Sequence, residues 1–355
     1  MPENKTFPSP KVQATDIVSE IPVIDFSQFT KGDASARDEV SKSMVDAFRK
    51  YGFVYLINHS IPEYSISQAF RMSKLFFDLP LSSKTQAPHP PGFQIHRGYS
   101  HPGLEKVTDL SLGLHPKITK SLARKVPDLK ESFEIGADAN SEQPNVWLPP
   151  NLMPGFRGSM TGFYWTLAEF SKEILRALAL GIGLGDENYL QKFYTGEHNQ
   201  LRLLHYPEVE AKVLEQRKAV RIATHCDWSA FTLLFQDDCG GLEIESPTEP
   251  GKFIEVEPIK NACLVNIGDL MARWSNDILR STPHRVGLPP LQDRYISTKQ
   301  MRITRARYSI PYFVTTTPDS VIECLPPCVD EKNPAKYEPI TQREYNLMRA
   351  SMNYN

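Results

Sequence analysis

The sequence predicts an α+β chain with a mainly β core, a double-stranded β-helix (jelly roll) carried on an N-terminal helical scaffold. Three observations lead there. Short apolar or β-branched runs recur at 200–206, 220–224, 230–236, 241–245, 253–256, 262–267, 284–286 and 305–314, with Gly, Pro and Asp turns between them. About eight strands in roughly 115 residues is the count of a double-sheet jelly roll. Ahead of them, Met160, Phe163, Leu167, Phe170, Ile174, Leu178 and Ile182 step by three or four residues, the stripe of a long helix buried along one face. The earlier segments mix strand and helix periods, with no internal repeat and no low-complexity tract.

Residues 1–19 are polar and read as a flexible N-terminal arm. Ile21 to Phe26 is a short strand. Asp33 or Ser35 caps a helix running through Lys50, with Val40, Met44, Val45, Ala47 and Phe48 on its apolar face. Gly52 ends it, and Phe53 to Ile57 is strand again. A second helix covers about Pro62 to Asp78 and stops at Pro80. Residues 85–104 and 137–157 are connections rich in Pro. The long helix spans about Gly158 to Gly181, and a shorter one about Glu187 to Tyr194. Beyond the strands, 316–334 is proline-rich coil and 341–352 a final helix. Gly240-Gly241 and Asn266-Ile267-Gly268-Asp269 read as turns, explained by backbone geometry and not by function. The expected organisation is an arm (1–19), an N-terminal region with scaffold helices (20–195), a jelly-roll core (196–316) and a C-terminal coil and helix (317–355).

Composition narrows the function. Apolar residues at 40% and charged residues at 23% describe an ordinary globular protein. A net charge of −2 gives no footprint for nucleic acid or a membrane surface, and the arginines at 302, 305 and 307 lie within one strand-like segment. No apolar run approaches the ~18 residues of a membrane span, and no signal or transit peptide is expected. Five cysteines are too few and too scattered for a disulfide framework; Cys324 and Cys328 are half of a zinc pattern without its second half. The expectation is a cytoplasmic protein with a small-molecule partner. Nothing in the sequence sets an oligomeric state.

The chemistry concentrates in Thr224-His225-Cys226-Asp227-Trp228. On a strand, residues two apart share a face, so His225 and Asp227 can meet at one point while Cys226 turns away. A second histidine, His284, heads another strand-like run, expected across the barrel. Two histidines and a carboxylate on one face of a metal form the facial triad of non-haem Fe(II) oxygenases. Zinc is the alternative, since hydrolases use the same ligand types. Zinc chemistry gives no reason, however, for Arg307 and Ser309, again two apart on a strand. A planar guanidinium and a hydroxyl suit the distal carboxylate of a 2-oxoacid whose other end chelates the iron. Three protein ligands leave three positions on an octahedral ion, room for a chelating 2-oxoacid and one further ligand. The remaining histidines, among them His59, His115 and His205, read as surface or packing residues.

The ordered set His-x-Asp, later His, then Arg-x-Ser resembles the 2-oxoglutarate-dependent Fe(II) dioxygenases of the isopenicillin N synthase-like type. The resemblance covers nearly the whole chain. It includes Ile21-Pro22-Val23-Ile24-Asp25-Phe26, Tyr51-Gly52-Phe53-Val54 and Leu203-Leu204-His205-Tyr206-Pro207. Leu201-Arg202-Leu203 and Gly268-Asp269-Leu270-Met271-Ala272-Arg273-Trp274 resemble in particular the fungal thymine dioxygenases (thymine 7-hydroxylases). The resemblance implies hydroxylation, desaturation or rearrangement of a small organic metabolite. It also implies Tyr206 at the 2-oxoglutarate carboxylate, with Arg202, Phe313 and the loop residue Tyr99 at the substrate. Trp228 departs from the tyrosine common in relatives, and 288–306 is longer than in the thymine enzymes; both favour a bulkier metabolite of fungal secondary metabolism over a nucleobase. Some members of the fold dispense with the oxoacid, and a jelly roll retained only for binding is the non-catalytic alternative.

Overall fold

The computed structural model describes residues 19–92, 95–104, 128–216, 218–290, 297–298 and 301–354. The N-terminal arm, His115 and part of the 288–306 link lie outside the described residues.

Among the described residues, fifteen strands build three sheets. In the N-terminal half they are β1 (Val23–Asp25), β2 (Phe53–Ile57), β3 (Gly98–Ser100) and β4 (Glu131–Ile135). Next come β5 (Gln200–Tyr206), β6 (Val209–Glu210), β7 (Ile222–His225), β8 (Phe231–Gln236), β9 (Leu242–Glu245) and β10 (Phe253–Glu255). After them follow β11 (Cys263–Ile267), β12 (His284–Val286), β13 (Ser297–Thr298), β14 (Met301–Thr304) and β15 (Arg307–Val314). The major sheet runs β1-β2-β11-β8-β15-β5-β4-β3, the minor sheet β10-β9-β12-β7, and β13-β14-β6 form a small third one. A separate ribbon pairs β16 (Val321–Ile322) with β17 (Ile340–Thr341). Four strands of the major sheet (β11, β8, β15, β5) and the four of the minor sheet supply the eight strands expected from the sequence; β1 to β4, from the N-terminal half, widen the major sheet.

The two faces of the major sheet bury different cores. One face carries Leu201, Leu203, Phe231, Leu233, Val265 and Tyr312 against the helices. The other carries Leu204, Tyr206, Tyr55 and Leu264 against Ile222, Leu242, Ile244 and Val286 of the minor sheet, and lines the barrel. Alternation at period two assigns each side chain to one core or the other.

The helices are α1 (Ser27–Lys31), α2 (Ala34–Lys50), α3 (Glu63–Phe77), α4 (Leu81–Lys84) and the long α5 (Phe156–Ile182). Asp33 caps α2 by accepting from the Ala36 amide at 2.9 Å. The expected stripe of α5 is buried from Met160 to Leu178. Gly181 lets α5 approach α2 so closely that a Cβ there would collide with the Ser41 carbonyl. Further on are α6 (Ala211–Glu215), α7 (Asp269–Trp274) and the C-terminal α8 (Gln342–Tyr354).

Several expectations need correction. The segment 187–194 is not an α-helix; it holds one 3-10 turn, Leu190–Phe193. The connection 85–104 contains β3, which pairs with β4. Asn266-Ile267 is the end of strand β11, and Asp269 begins α7, so this stretch is not a simple turn. Among the described residues no helix is long and apolar enough to cross a membrane. None of the five cysteines enters a disulfide.

Candidate metal and cosubstrate site

His225 is the last residue of β7, and Asp227 lies just beyond the strand end. His284 is not across the barrel but on the neighbouring strand: β12 pairs antiparallel with β7, and His284 stands in register with His225. The register then shifts, so that Val286 pairs with Ile222. This irregularity lets Ile222 and His225, three apart, serve the same interior face. The two imidazole centroids are 4.3 Å apart. The Asp227 Oδ1 lies 3.9 Å from His225 Nε2 and 3.8 Å from His284 Nε2. One ligating atom from each residue falls within 4.8 Å of the others.

What surrounds these atoms decides which of them can face an ion. His225 Nδ1 is 2.8 Å from the Ala223 carbonyl, and His284 Nδ1 is 3.0 Å from the Thr282 carbonyl. A carbonyl only accepts, so each Nδ1 carries the proton and each Nε2 offers a lone pair. Asp227 Oδ2 accepts from Thr232 Oγ1 at 2.6 Å and from Asn266 Nδ2 at 2.8 Å. That leaves Oδ1 facing the imidazoles. Burial first, then His284, pushes the His225 pKa down to about 3, keeping that ring neutral. Burial alone would raise the Asp227 carboxyl; His284, His225, Asn266 and Thr232 outweigh it and hold it below its usual range. Two imidazole lone pairs and one carboxylate oxygen suit a first-row divalent ion with open positions. Cys226 turns away, its thiol 3.9 Å from the Ser281 carbonyl.

Deeper in the barrel, Arg307 and Ser309 on β15 point to the interior, opposite Tyr206 and Leu204 of β5. Arg307 is 1% exposed. Its Nη1 donates to Ser309 Oγ at 3.0 Å and its Nη2 to Gln236 Oε1 at 3.0 Å, while the buried Nε has no partner among the described residues. The guanidinium carbon is 5.1 Å from the Tyr206 ring centroid. A buried guanidinium held by neutral acceptors, with one N–H unused, fits an incoming carboxylate.

The expected substrate residues divide. Phe313 lies in one cross-strand row with Thr232 and Asn266, the two residues that hold Asp227. Arg202 stands over the Phe313 ring at 5.6 Å, and its Nε is 2.6 Å from Glu134 Oε1. Trp228 follows Asp227 directly and packs under the guanidinium of Arg349 from α8, at 5.7 Å. Tyr99 must be corrected. It pairs with Phe133 and belongs with it to the helix-side core. Its hydroxyl donates to Glu131 Oε2 at 2.6 Å, in a buried cluster with Lys84 and His205. Tyr99 therefore sits on the opposite face from Arg307 and Arg202.

Sequence reasoning missed Asn266, Thr232 and Glu134. A lone Asn within the apolar run Cys263-Leu264-Val265-Asn266-Ile267 was the available signal for the first. It missed Lys130 as well, a buried lysine whose charge is felt at His225.

Along most of its length the chain is similar to known proteins. Residues 21–155 match the model described as the non-haem dioxygenase in morphine synthesis N-terminal region, and residues 197–316 match the 2OG-Fe(II) oxygenase superfamily. The 2-oxoglutarate-Fe(II) type oxidoreductase ppzD of Metarhizium rileyi is 37% identical over 332 residues, 93% of this chain and 90% of its own. The proline hydroxylase buaE of Petromyces alliaceus is 35% identical, with 94% of this chain and 100% of its own covered. The crystal structure of Neurospora crassa thymine-7-hydroxylase with alpha-KG and thymine superposes with a TM-score of 0.81 at 38% identity, covering 95% of this chain and 99% of that one. With both halves matched and relatives aligned nearly end to end, the chain belongs to the 2OG-Fe(II) oxygenase superfamily, as a dioxygenase that uses Fe(II), 2-oxoglutarate and O2.

Proposed function

We propose that His225, Asp227 and His284 hold the iron, and that Arg307 with Ser309 binds the distal carboxylate of 2-oxoglutarate beside Tyr206. The observation that carries this reading is the division of labour at Asp227. One carboxylate oxygen is taken by Thr232 and Asn266, and the other is turned toward two Nε2 lone pairs. When bound, iron and 2-oxoglutarate supply oxidative decarboxylation coupled to oxidation of a substrate C–H bond. The chain itself orients the three ligands, turns both Nε2 atoms inward and walls the site with buried side chains. Anaerobic addition of Fe(II) and 2-oxoglutarate gives a visible charge-transfer band; Asp227→Ala abolishes it. An unchanged band in that variant sinks the assignment.

The substrate is a small organic metabolite of the kind oxidised in fungal secondary metabolism. Arg202, paired with Glu134, stands over Phe313 and provides a polar, aromatic wall for a planar polar group, and Trp228 beside Asp227 is the residue expected to enlarge the apolar side. Five thiols outside any disulfide suit a reducing, cytoplasmic setting. A nucleobase is the second reading, favoured by the likeness to the Neurospora thymine-7-hydroxylase, whose structure holds thymine. Incubation with thymine, 2-oxoglutarate and O2 separates the two. Efficient conversion to the hydroxymethyl product establishes the nucleobase reading, and its absence with turnover of a bulkier aromatic metabolite supports the first.

A further inference from the structure

The Arg307 end of the barrel holds a second buried arginine that nothing above uses. Arg221, immediately before β7, is 0% exposed. Its guanidinium carbon is 5.9 Å from the centroid of the Tyr206 ring, the same ring that Arg307 approaches. Only neutral acceptors hold it: Nη2 donates to the Arg305 carbonyl at 2.5 Å and Thr304 Oγ1 at 3.4 Å, and Nη1 to Cys239 Sγ at 3.6 Å. Among the described residues the buried Nε has no partner, and no carboxylate pairs with this guanidinium.

Tying the start of β7 to residues 304–305 needs donors, and a neutral amide could provide them. A full positive charge buried without an anion is unfavourable, and becomes favourable only when an anion enters its field. Arg221 and Arg307 flank one phenol ring in a low-dielectric wall, with the buried Asp237 carboxyl within the field of Arg307 and no described carboxylate paired with Arg221. 2-Oxoglutarate brings its second carboxylate there, on the reading that Arg307 and Ser309 receive it.

We infer that Arg221 is a positioning residue for the cosubstrate, adding charge to that of Arg307 and selecting a dicarboxylic over a monocarboxylic 2-oxoacid. Calorimetric titration of the Mn(II)-loaded full chain tests this without turnover, using 2-oxoglutarate and 2-oxopentanoate, which lacks the distal carboxylate. In Arg221→Gln the Kd for 2-oxoglutarate rises about tenfold, a change of about 1.4 kcal/mol, while that for 2-oxopentanoate stays within twofold. Equal weakening of both ligands means a merely structural staple, and no change means no role; either overturns the inference. Should Arg221→Gln not fold, Arg307→Gln poses the question from the other side. With the direct partner gone, 2-oxoglutarate still binds at least about threefold tighter than 2-oxopentanoate if Arg221 contributes charge, and equal affinities overturn it. A wild type without any preference would overturn the Arg307 reading as well, so the two failures are distinguishable.

Discussion

The Asn266 amide reaches from β11 to donate to Asp227 Oδ2 at 2.8 Å, across 39 residues of sequence. This bond, with that from Thr232, orients the carboxylate before any ion arrives. Removing it frees the carboxylate to rotate. Asn266→Ala is expected to weaken Fe(II) or Mn(II) binding by about 10–100-fold with little change in the far-ultraviolet spectrum. Metal titration followed by calorimetry checks this, and unchanged affinity would count against the orienting role.

On the proposed reading, Arg307 supplies the direct charge-assisted contact to the cosubstrate. Such a contact is worth about 1.5–3 kcal/mol, so Arg307→Gln is expected to raise the Kd for 2-oxoglutarate at least about tenfold. Metal binding should remain as in the wild type, because neither Arg307 nor its partners Ser309 and Gln236 touch the His225–Asp227–His284 set. The quantity to measure is the midpoint of the charge-transfer titration.

Tyr99 lies behind the sheet, so its hydroxyl serves stability. Tyr99→Phe removes one donor from the buried Glu131. The expected cost is about 1–2 kcal/mol in urea unfolding, with KM for the organic substrate unchanged. A raised KM without loss of stability would return Tyr99 to the pocket.

Glu131 makes that cluster pH-dependent. Burial alone would raise its carboxyl, but bonds from His205, Lys84 and Tyr99 outweigh burial and lower it from the ordinary 4.5. A depressed acid contributes stability that is fully present above its unfolded value and lost as pH falls through its folded one. Glu131→Gln should therefore cost about 3 kcal/mol at pH 7, and the gap to wild type should narrow below pH 4.5. Unfolding curves at neutral and acid pH read this directly; a constant gap would show that the charge is irrelevant.

Gly181 sets how closely α5 packs on α2. A Cβ there would meet the Ser41 carbonyl and the Val45 side chain. Gly181→Ala is expected to destabilise the protein by about 1–3 kcal/mol, measured by thermal or urea denaturation, despite alanine's higher helix propensity.

Much of this architecture is legible in the chain because its strands are short apolar or β-branched runs set between Gly, Pro and Asp turns. The runs 200–206, 284–286 and 262–267 match β5, β12 and β11 to within a residue. His225 with Asp227, and Arg307 with Ser309, stand out because each pair is local: two residues on one strand or at its end. What escapes depends on register between distant strands. The face that Tyr99 occupies follows from its pairing with Phe133, which no local pattern reveals. Asn266 resembles part of a turn because its partner is Asp227 and not a sequence neighbour. The short 3-10 segment at Leu190–Phe193 resembles a helix in composition, but its sequence is too short to sustain one.

The register shift between His284–His225 and Val286–Ile222 carries a consequence for how this barrel tolerates length changes. Deleting one residue between Ile222 and His225 would leave them two apart, a spacing that keeps both on the interior face of a regular ladder and His225 opposite His284. Matching the strands the other way, by adding one residue between His284 and Val286, would put each histidine three from its apolar neighbour and turn the imidazole pair away from the interior. Insertions around the exposed turn at 247–251 would leave all three candidate ligands in place. Perfecting the β7–β12 pairing is thus compatible with the iron site only when the extra residue of β7 is the one removed, so a redesign scored on sheet regularity alone would not tell an enzyme from a sheet that has lost its site.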